Sequence, residues 1–245
     1  MSARRTLATA GRVLRQIRHD PRTIALVLVV PPLLLALMDA LLDGRPQAFQ
    51  HVGPPLVGLF PFIVMFLVTS IAMLRERTTG TLERLMTLPL AKLDLLAGYG
   101  LAFGVLACAQ ATVAAAVAFG LLGLDASHGV LLVTVLAVAN ALLGMALGLF
   151  VSAFARTEFQ AVQFMPALVM PQLLVCGLFV ERSQMADWLQ SVSQALPLTY
   201  AYDALARAVS PGQLGADFAL DVVVVVVVAV LALALGAATL RRSTA

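Results

Sequence analysis

Six long apolar segments constrain the fold of this sequence more than any other feature. They cover residues 24–42, 57–74, 93–122, 130–151, 161–180 and 218–240. A helix that spans a bilayer needs about 20 mostly apolar residues, and a backbone in lipid has to form its hydrogen bonds within itself. Charged residues make up 12% of the chain, against about a quarter in soluble domains. The sequence therefore predicts an all-α polytopic membrane protein with six transmembrane helices, in which residues 1–245 form a single domain.

Lysine and arginine are unevenly distributed between the connecting segments. If the N-terminus is cytoplasmic, the inner segments hold 13 of the 16 Lys and Arg residues, and the outer segments hold Arg45, Arg182 and Arg207. Basic residues collect on the cytoplasmic side of membrane proteins. We therefore expect a multi-pass protein of the cell (plasma or inner) membrane with both termini in the cytoplasm.

Residues 1–22 predict an amphipathic helix before the first span. Leu7, Ala10, Leu14 and Ile17 recur at helical spacing, with arginines on the other faces. A basic amphipathic helix beside a span is expected to lie in the anionic inner interface of the membrane. Contact with a cytoplasmic partner is the alternative. No cleavable signal peptide is evident, so we expect the first span to remain as an anchor.

The most polar long interruption, residues 75–90, lies between the second and third spans. It predicts a short cytoplasmic helix over residues 80–89. Gly80 is the expected N-cap, and Glu83 takes the third helical position, where a carboxylate meets free backbone N–H groups. Pro89 disfavours helix just before it and sets the end of this helix.

The predicted short helix has an apolar face and a charged face. Leu82, Leu85 and Met86 share the apolar face, while Glu83 and Arg84 lie largely off it. This polarity suits a helix that docks on a partner. A helix that lies on the lipid surface fits the same pattern, and the pattern alone favours neither.

Three polar residues lie deep within the apolar segments, namely Gln110, Asn140 and Gln172. Polar side chains in lipid usually face protein or a cavity. Hydrogen bonding between helices is the favoured interpretation, and a substrate path is the alternative. No ionisable residue lies near the middle of a segment, which argues against a proton relay or an ion-coupled carrier.

Glycines and prolines add packing signals within the spans. Two G-x-x-x-G pairs allow close helix approach, Gly100/Gly104 and Gly144/Gly148. Two prolines of the fifth segment permit kinks, Pro166 and Pro171.

The last outer connection, residues 181–217, is too long for a simple turn. Helical apolar spacing predicts two short helices at the outer surface, over residues 185–195 and 198–209, with Pro197 between them. Interfacial aromatic residues fit the headgroup level, here Trp188, Tyr200 and Tyr202. They either cap a pathway from outside or pack on the bundle.

Motifs for covalent chemistry are missing from the sequence. No G-x-x-x-x-G-K-[ST] phosphate loop is present, because the only lysine, Lys92, follows Ala91. The three histidines lie in separate loops, which argues against a metal site and an intramembrane hydrolase. The two cysteines fall within apolar segments and provide no disulfide framework. We expect the chain not to be an enzyme by itself and to bind no metal.

The order of motifs resembles the ABC-2 type transport permease family over essentially the whole chain. The stretch Arg75-Glu76-Arg77, Gly80-Thr81-Leu82-Glu83-Arg84-Leu85 and Pro89-Leu90 is similar to the coupling-helix signature of that family. Cys176-Gly177-Leu178-Phe179-Val180, followed by Trp188-Leu189-Gln190 and Leu196-Pro197-Leu198-Thr199-Tyr200, is similar to the segment before its last span. The drug and antibiotic exporter branch, which includes daunorubicin-resistance permeases, is closest. Glu181 departs from the pattern, since many members carry proline there.

The resemblance implies a mechanism. Two permeases, either two copies or a copy with a homologous permease, pair in the bilayer, and each engages a separate ATP-binding cassette subunit that binds ATP and Mg. The family's coupling role falls on Glu76, Gly80, Thr81, Leu82, Glu83, Arg84, Leu85, Met86 and Pro89. The expected activity is export of amphipathic drugs, antibiotics or lipids, with no cofactor in this chain and no nucleic-acid partner. An ATP-independent carrier or channel and a scaffold or assembly factor are the alternatives.

Overall fold

The structure is a computed structural model, and it describes residues 3–81 and 92–239. Within these ranges the chain forms ten α-helices and no strand, which confirms the predicted all-α class. The helices are α1 (Ala3–Arg18), α2 (Pro21–Leu41), α3 (Pro46–Thr78), α4 (Lys92–Gly120), α5 (Val130–Val151), α6 (Glu158–Phe164), α7 (Met170–Val175), α8 (Asp187–Gln194), α9 (Pro197–Val209) and α10 (Ala216–Ala238).

Five of the described helices are long and apolar enough to cross a membrane. They are α2, α3, α4, α5 and α10, and they correspond to five of the six predicted spans. Local sequence explains how α2 begins: Pro21 occupies its first turn, and the Asp20 side chain accepts a hydrogen bond from the Thr23 backbone N–H at 3.2 Å. An N-cap carboxylate and a proline in the first turn are both favourable at a helix start.

The fifth predicted span, residues 161–180, is not a single helix. The chain forms α6, a π-helical turn at Met165–Val169 and then α7. Pro166 and Pro171 lack the N–H that an α-helix needs, and the π turn, which includes Pro166, shifts the hydrogen-bond register before Pro171. The count of six single spanning helices is therefore not confirmed among the described residues.

Contacts between connecting segments define the two ends of the bundle. At one end, called here the Glu76 end, the C-terminal part of α3 meets the start of α6 through Arg75 and Glu158. At the other, the Asp203 end, Gln50 near the start of α3 bonds to the backbone of Gly123 after α4. A helix of 33 residues such as α3 is about 50 Å long and joins the two ends.

The centre of the bundle is a close contact between α3 and α5. A Cβ on Gly144 would lie 2.2 Å from the Phe62 carbonyl oxygen, and one on Gly148 would lie 2.2 Å from the Thr69 Oγ1. Only glycine permits this approach. The second predicted G-x-x-x-G pair therefore brings two helices together, whereas Gly100 and Gly104 make ordinary contacts at 4.0 and 3.5 Å.

Helix α1 occupies the position predicted for an amphipathic helix and packs on α4. A Cβ on Gly98 would lie 2.5 Å from the Thr9 Cβ, so this glycine admits α1 against the bundle. Ala10 and Val13 are buried in this contact, while Leu7, which the sequence placed on the same apolar face, is 64% exposed. The buried face of α1 is therefore rotated relative to the predicted one.

Two short helices, α8 and α9, lie where the sequence predicted them, but α9 is not a surface helix. It packs against α3, α5 and α10, and Leu198, Ala201 and Leu205 are fully buried. Gly58 of α3 makes room for it, because a Cβ there would lie 2.5 Å from the Leu205 Cδ1. The small residues of α9 let it enter the bundle, which the expectation of an outer-surface helix did not include.

Candidate functional site

The predicted coupling helix lies mostly outside the described residues. Leu82, Glu83, Arg84, Leu85, Met86 and Pro89 fall in the range 82–91, which the structure does not describe. Glu76, Gly80 and Thr81 are described, and so is α4 beyond the range. The site is therefore built from the helices that flank this segment on both sides.

Gly80 ends α3. Its φ of 71° is left-handed, and it follows the C-cap Thr79, whose backbone N–H donates to the Arg75 carbonyl at 2.9 Å. A left-handed glycine after the C-cap is a common helix stop. The predicted N-cap role of Gly80 depends on residues outside the described range and stays a prediction. Thr81 Oγ1 lies 3.1 Å from Thr79 Oγ1, which adds a contact across this turn.

Glu76 is buried on the last turns of α3 and faces Arg12 of α1. Its Oε2 lies 3.5 Å from Arg12 Nη2, and the same guanidinium nitrogen donates a hydrogen bond to the Tyr99 hydroxyl on α4. The Arg12 guanidinium also lies 5.6 Å from the centre of the Tyr99 ring, within the range of a cation–π contact. Three residues from three helices thus form one cluster, which we call the Glu76 cluster.

Two neighbouring arginines attach α3 to other helices at the same end. Arg75 donates two hydrogen bonds to Glu158 of α6, at 2.7 and 2.9 Å, and this pairing lowers the pKa of the Glu158 carboxyl. Arg77 donates to the Thr239 Oγ1, after α10, at 3.4 Å. The end of α3 is thereby tied to α1, α4, α6 and the end of α10. In the sequence, residues 82–91 lead from this junction to the start of α4.

The predicted intramembrane polar residues differ in their surroundings. Asn140 of α5 donates to the Ala201 carbonyl of α9 at 3.3 Å, as expected for a hydrogen bond between helices. Gln172 donates to the Leu168 carbonyl at 2.8 Å, one turn earlier in its own segment. Gln110 is fully buried, and neither its Oε1 nor its Nε2 has a hydrogen-bond partner among the described residues. In the described part of the chain, none of these three side chains has another of the three as its hydrogen-bond partner.

The Asp203 end is organised by two arginines. Arg182, in the loop after α7, donates to the Asp203 carboxylate of α9 at 2.5 Å. Arg207 of α9 pairs with Asp221 of α10 at 3.0 Å and with Asp217 at 3.4 Å. These pairs fix α9 to its neighbours, and we call them the Asp203 cluster.

The three residues predicted for the outer segment have separate roles. Pro197 occupies the first turn of α9, which suits its missing N–H. The Tyr200 hydroxyl donates to the Gln194 carbonyl at 2.7 Å and so closes the turn between α8 and α9. Trp188 is 67% exposed on α8. Its place at the interfacial level stays a prediction, while Tyr200 packs within the hairpin.

No group of three or more metal-binding side chains comes together in the described ranges.

A model of the ABC-2 type transporter family matches residues 4–209, which extend from α1 to the end of α9. The chain belongs to the ABC-2 type transporter family. This assignment agrees with the resemblance in the motif order, and the apolar helices make the chain a multi-pass membrane protein of that family.

Two curated relatives of this ABC-2 chain are ABC transporters by name. ABC transporter G family member 20 of Dictyostelium discoideum is 27% identical over 164 residues, which are 66% of this chain and 22% of the relative. Probable multidrug ABC transporter permease YbhR of Escherichia coli K12 is 27% identical over 152 residues, which are 62% of this chain and 41% of the relative. The chain thus aligns with less than half the length of either relative.

Sequence reasoning on this ABC-2 chain missed most of the charged partners. Arg12, Tyr99 and Glu158 were not singled out, although each contacts a helix far away in the chain. One signal was available, because Tyr99 is a hydroxyl-bearing side chain among apolar neighbours one helical turn after Leu95 and Leu96. The other pairings depend on the tertiary arrangement of the helices.

Proposed function

We propose that this chain is the membrane-spanning permease subunit of an ATP-driven exporter. The observation that carries the proposal is the ABC-2 match over residues 4–209, which includes the Glu76 cluster and the predicted coupling segment. In this account the chain crosses the membrane six times, since α6, the π turn and α7 pass from the Glu76 end to the Asp203 end. The Glu76 end faces the cytoplasm of a plasma or inner membrane, together with both termini.

A separate ATP-binding subunit supplies the energy in this proposal. It binds ATP and Mg, and this chain contributes no cofactor and no covalent step. The apolar face of the 80–89 helix, formed by Leu82, Leu85 and Met86, fills a notch on that subunit, and burial of one leucine contributes roughly 1.5–3 kcal/mol. Glu83 and Arg84 fix the register at the rim.

The Glu76 cluster provides a route from the coupling segment into the bundle. Movement of the segment displaces the end of α3 and the start of α4 together, because Arg12 contacts Glu76 on one helix and Tyr99 on the other. Two such permeases, identical or homologous, pair in the bilayer and move amphipathic drugs, antibiotics or lipids outward. The multidrug description of the Escherichia coli relative supports this class of substrate.

Affinity purification of the tagged chain from its native membrane tests the partner assignment. We expect a stoichiometric ATP-binding subunit in the wild-type preparation and its loss in Leu85→Asp, with retention in the matched control Leu85→Met. A chain that is purified folded but alone, and that moves a solute in liposomes on a gradient without ATP, would support a carrier and contradict the proposal.

A further inference from the structure

A cavity lies beside the Glu76 cluster, inside one copy of the chain. It has a volume of about 350 Å³ and lies between α1, α2, α3, α4 and α6. Ligand sites in proteins are commonly about 300–1,000 Å³, so a small amphipathic molecule fits. Leu26 of α2 and Val162 of α6 line it and are 50% and 42% exposed, which places an opening on the side of the bundle.

The walls of this cavity are apolar over most of their length. Leu67, Val68 and Ile71 of α3 and Phe103 of α4 line one side. Such walls favour a hydrocarbon or aromatic body over a fully polar solute, since apolar surface removed from water contributes about 25 cal/mol per Å².

The polar end of the cavity is lined by two carboxylates and one guanidinium. Asp20, Glu76 and Arg75 are the charged residues that line it. Arg75 is already engaged by both carboxylate oxygens of Glu158, at 2.7 and 2.9 Å. Hydrogen bonds from Thr23 lower the pKa of the Asp20 carboxyl, so Asp20 stays ionised. The end that a ligand head group meets is therefore acidic.

Glu76 adds a buried carboxylate that is ion-paired with Arg12 but keeps one oxygen without a hydrogen bond in the described part of the chain. Its side chain is 7% exposed and lies 3.5 Å from Arg12, and its Oε2 accepts no hydrogen bond from the residues that the structure describes. A buried carboxylate oxygen without a donor is costly, and a cationic ligand head beside it would remove that cost. An anionic head would be repelled by the same group and by Asp20.

We propose that this cavity binds an amphipathic organic cation, with its charged head between Glu76 and Asp20 and its apolar body along α3 and α4. Binding at this site rests on the cavity alone. The further step, in which the bound cation is cargo that enters from the inner leaflet, rests on the proposed exporter function.

Binding of a matched pair of probes tests this site. The full-length chain is placed in phosphatidylcholine nanodiscs without nucleotide, and the affinity is measured for dodecyltrimethylammonium and for dodecyldimethylamine oxide in its uncharged form, with binding to empty nanodiscs subtracted. We expect the cation to bind at least tenfold more tightly, because a partly buried contact between opposite charges contributes at least about that factor.

Variants locate the effect. Glu76→Gln and Asp20→Asn should each weaken binding of the cation by about tenfold and leave the amine oxide unchanged. Ala72→Phe, which fills the cavity from α3, should weaken both probes. Asp217→Asn, at the opposite end of the bundle, is the matched control and should change neither.

Two results would overturn the site: equal affinity of the wild type for both probes, or unchanged cation binding in both Asp20→Asn and Ala72→Phe. Asp20→Asn keeps the proposal testable if Glu76→Gln does not fold. The binding assay contains no ATP-binding subunit, so a negative result in it does not contradict the exporter proposal. Likewise, failure to purify an ATP-binding subunit with the chain does not contradict binding at this cavity.

Discussion

The charged clusters at the two ends of the bundle differ in how far apart their partners lie in the sequence. The Glu76 cluster joins Arg12, Glu76 and Tyr99, which are far apart in the chain and lie on α1, α3 and α4. The Asp203 cluster joins Arg182 to Asp203 and Arg207 to Asp221, and these partners are close in sequence. One cluster holds three separate helices together, whereas the other fixes a short helix to its own neighbours. Ion pairs with similar geometry therefore have different structural roles. The separation of the partners along the sequence distinguishes these roles.

This difference has a physical consequence for coupling. Of the helices joined by the Glu76 cluster, α3 and α4 flank the 82–91 segment and α1 contacts both, so in the proposed exporter a force on that segment reaches all three. The Asp203 cluster lies at the opposite end, and none of its ion pairs includes a residue of α1, α3 or α4. Removing the first should affect both stability and coupling, while removing the second should affect stability alone.

The largest effect is expected for Glu76→Ala. The substitution leaves the partly buried Arg12 without its carboxylate, and breaking a buried pair typically costs about 3 kcal/mol. We expect a clear fall in the thermal unfolding temperature of the purified chain together with reduced coupling to ATP hydrolysis. Unchanged coupling in a folded Glu76→Ala protein would remove the distinction between the two clusters.

The next effect is expected for Arg182→Ala at the other end. Asp203 has a side chain that is 12% exposed, and an unpaired buried carboxylate costs about 2 kcal/mol. The unfolding temperature should fall, but ATP hydrolysis by the folded complex should stay coupled. Arg182→Lys is the matched control and should retain most of the stability, since it keeps the charge.

A smaller effect is expected for Tyr99→Phe, which keeps the ring and removes the hydroxyl that accepts from Arg12. Loss of one hydrogen bond corresponds to about 1 kcal/mol, while the cation–π contact remains. Denaturation of Tyr99→Phe and of Glu76→Ala in the same detergent measures how much the hydroxyl and the carboxylate each contribute to stability. A loss in Tyr99→Phe as large as in Glu76→Ala would show that the hydroxyl, not the carboxylate, holds Arg12.

The smallest effect is expected for Glu158→Gln. Arg75 and Glu158 have exposed side-chain fractions of 59% and 53%, and exposed ion pairs contribute about 0.2–1 kcal/mol. The unfolding temperature should barely change despite the two short hydrogen bonds. A fall comparable to that of Arg182→Ala would mean that this surface pair is held as firmly as the buried one.

Hydropathy was sufficient to predict most of the spans, because a helix in lipid needs only length and apolar composition. The same information did not predict the π turn in the fifth segment. Pro166 and Pro171 marked a possible kink, but the local hydrogen-bond register depends on how the neighbouring helices pack. The spacing of apolar residues likewise predicted α9 as a helix, but it did not predict that α9 is buried between α3, α5 and α10.

The candidate site was predictable only in part. The resemblance to a family indicated the coupling segment and Glu76, while the partners of Glu76 could not be read from a pattern. Arg12 was one of several arginines on an amphipathic helix. Only the close approach of α1 to α4 at Gly98 identifies it as the partner of Glu76. Asn140 was correctly expected to bond between helices, although its acceptor, the Ala201 carbonyl, carries no side-chain signal.

The ATP hydrolysis rate of the permease reconstituted in lipid with added ATP-binding subunit, at one fixed concentration for every variant, tests the central claim most directly. The wild type and the Leu85→Met control should hydrolyse ATP at similar rates, and Leu85→Asp should lower the rate by about tenfold, as loss of roughly 1.4 kcal/mol of docking energy implies. A complex whose ATP hydrolysis is the same in the wild type and in Leu85→Asp would contradict coupling through this segment.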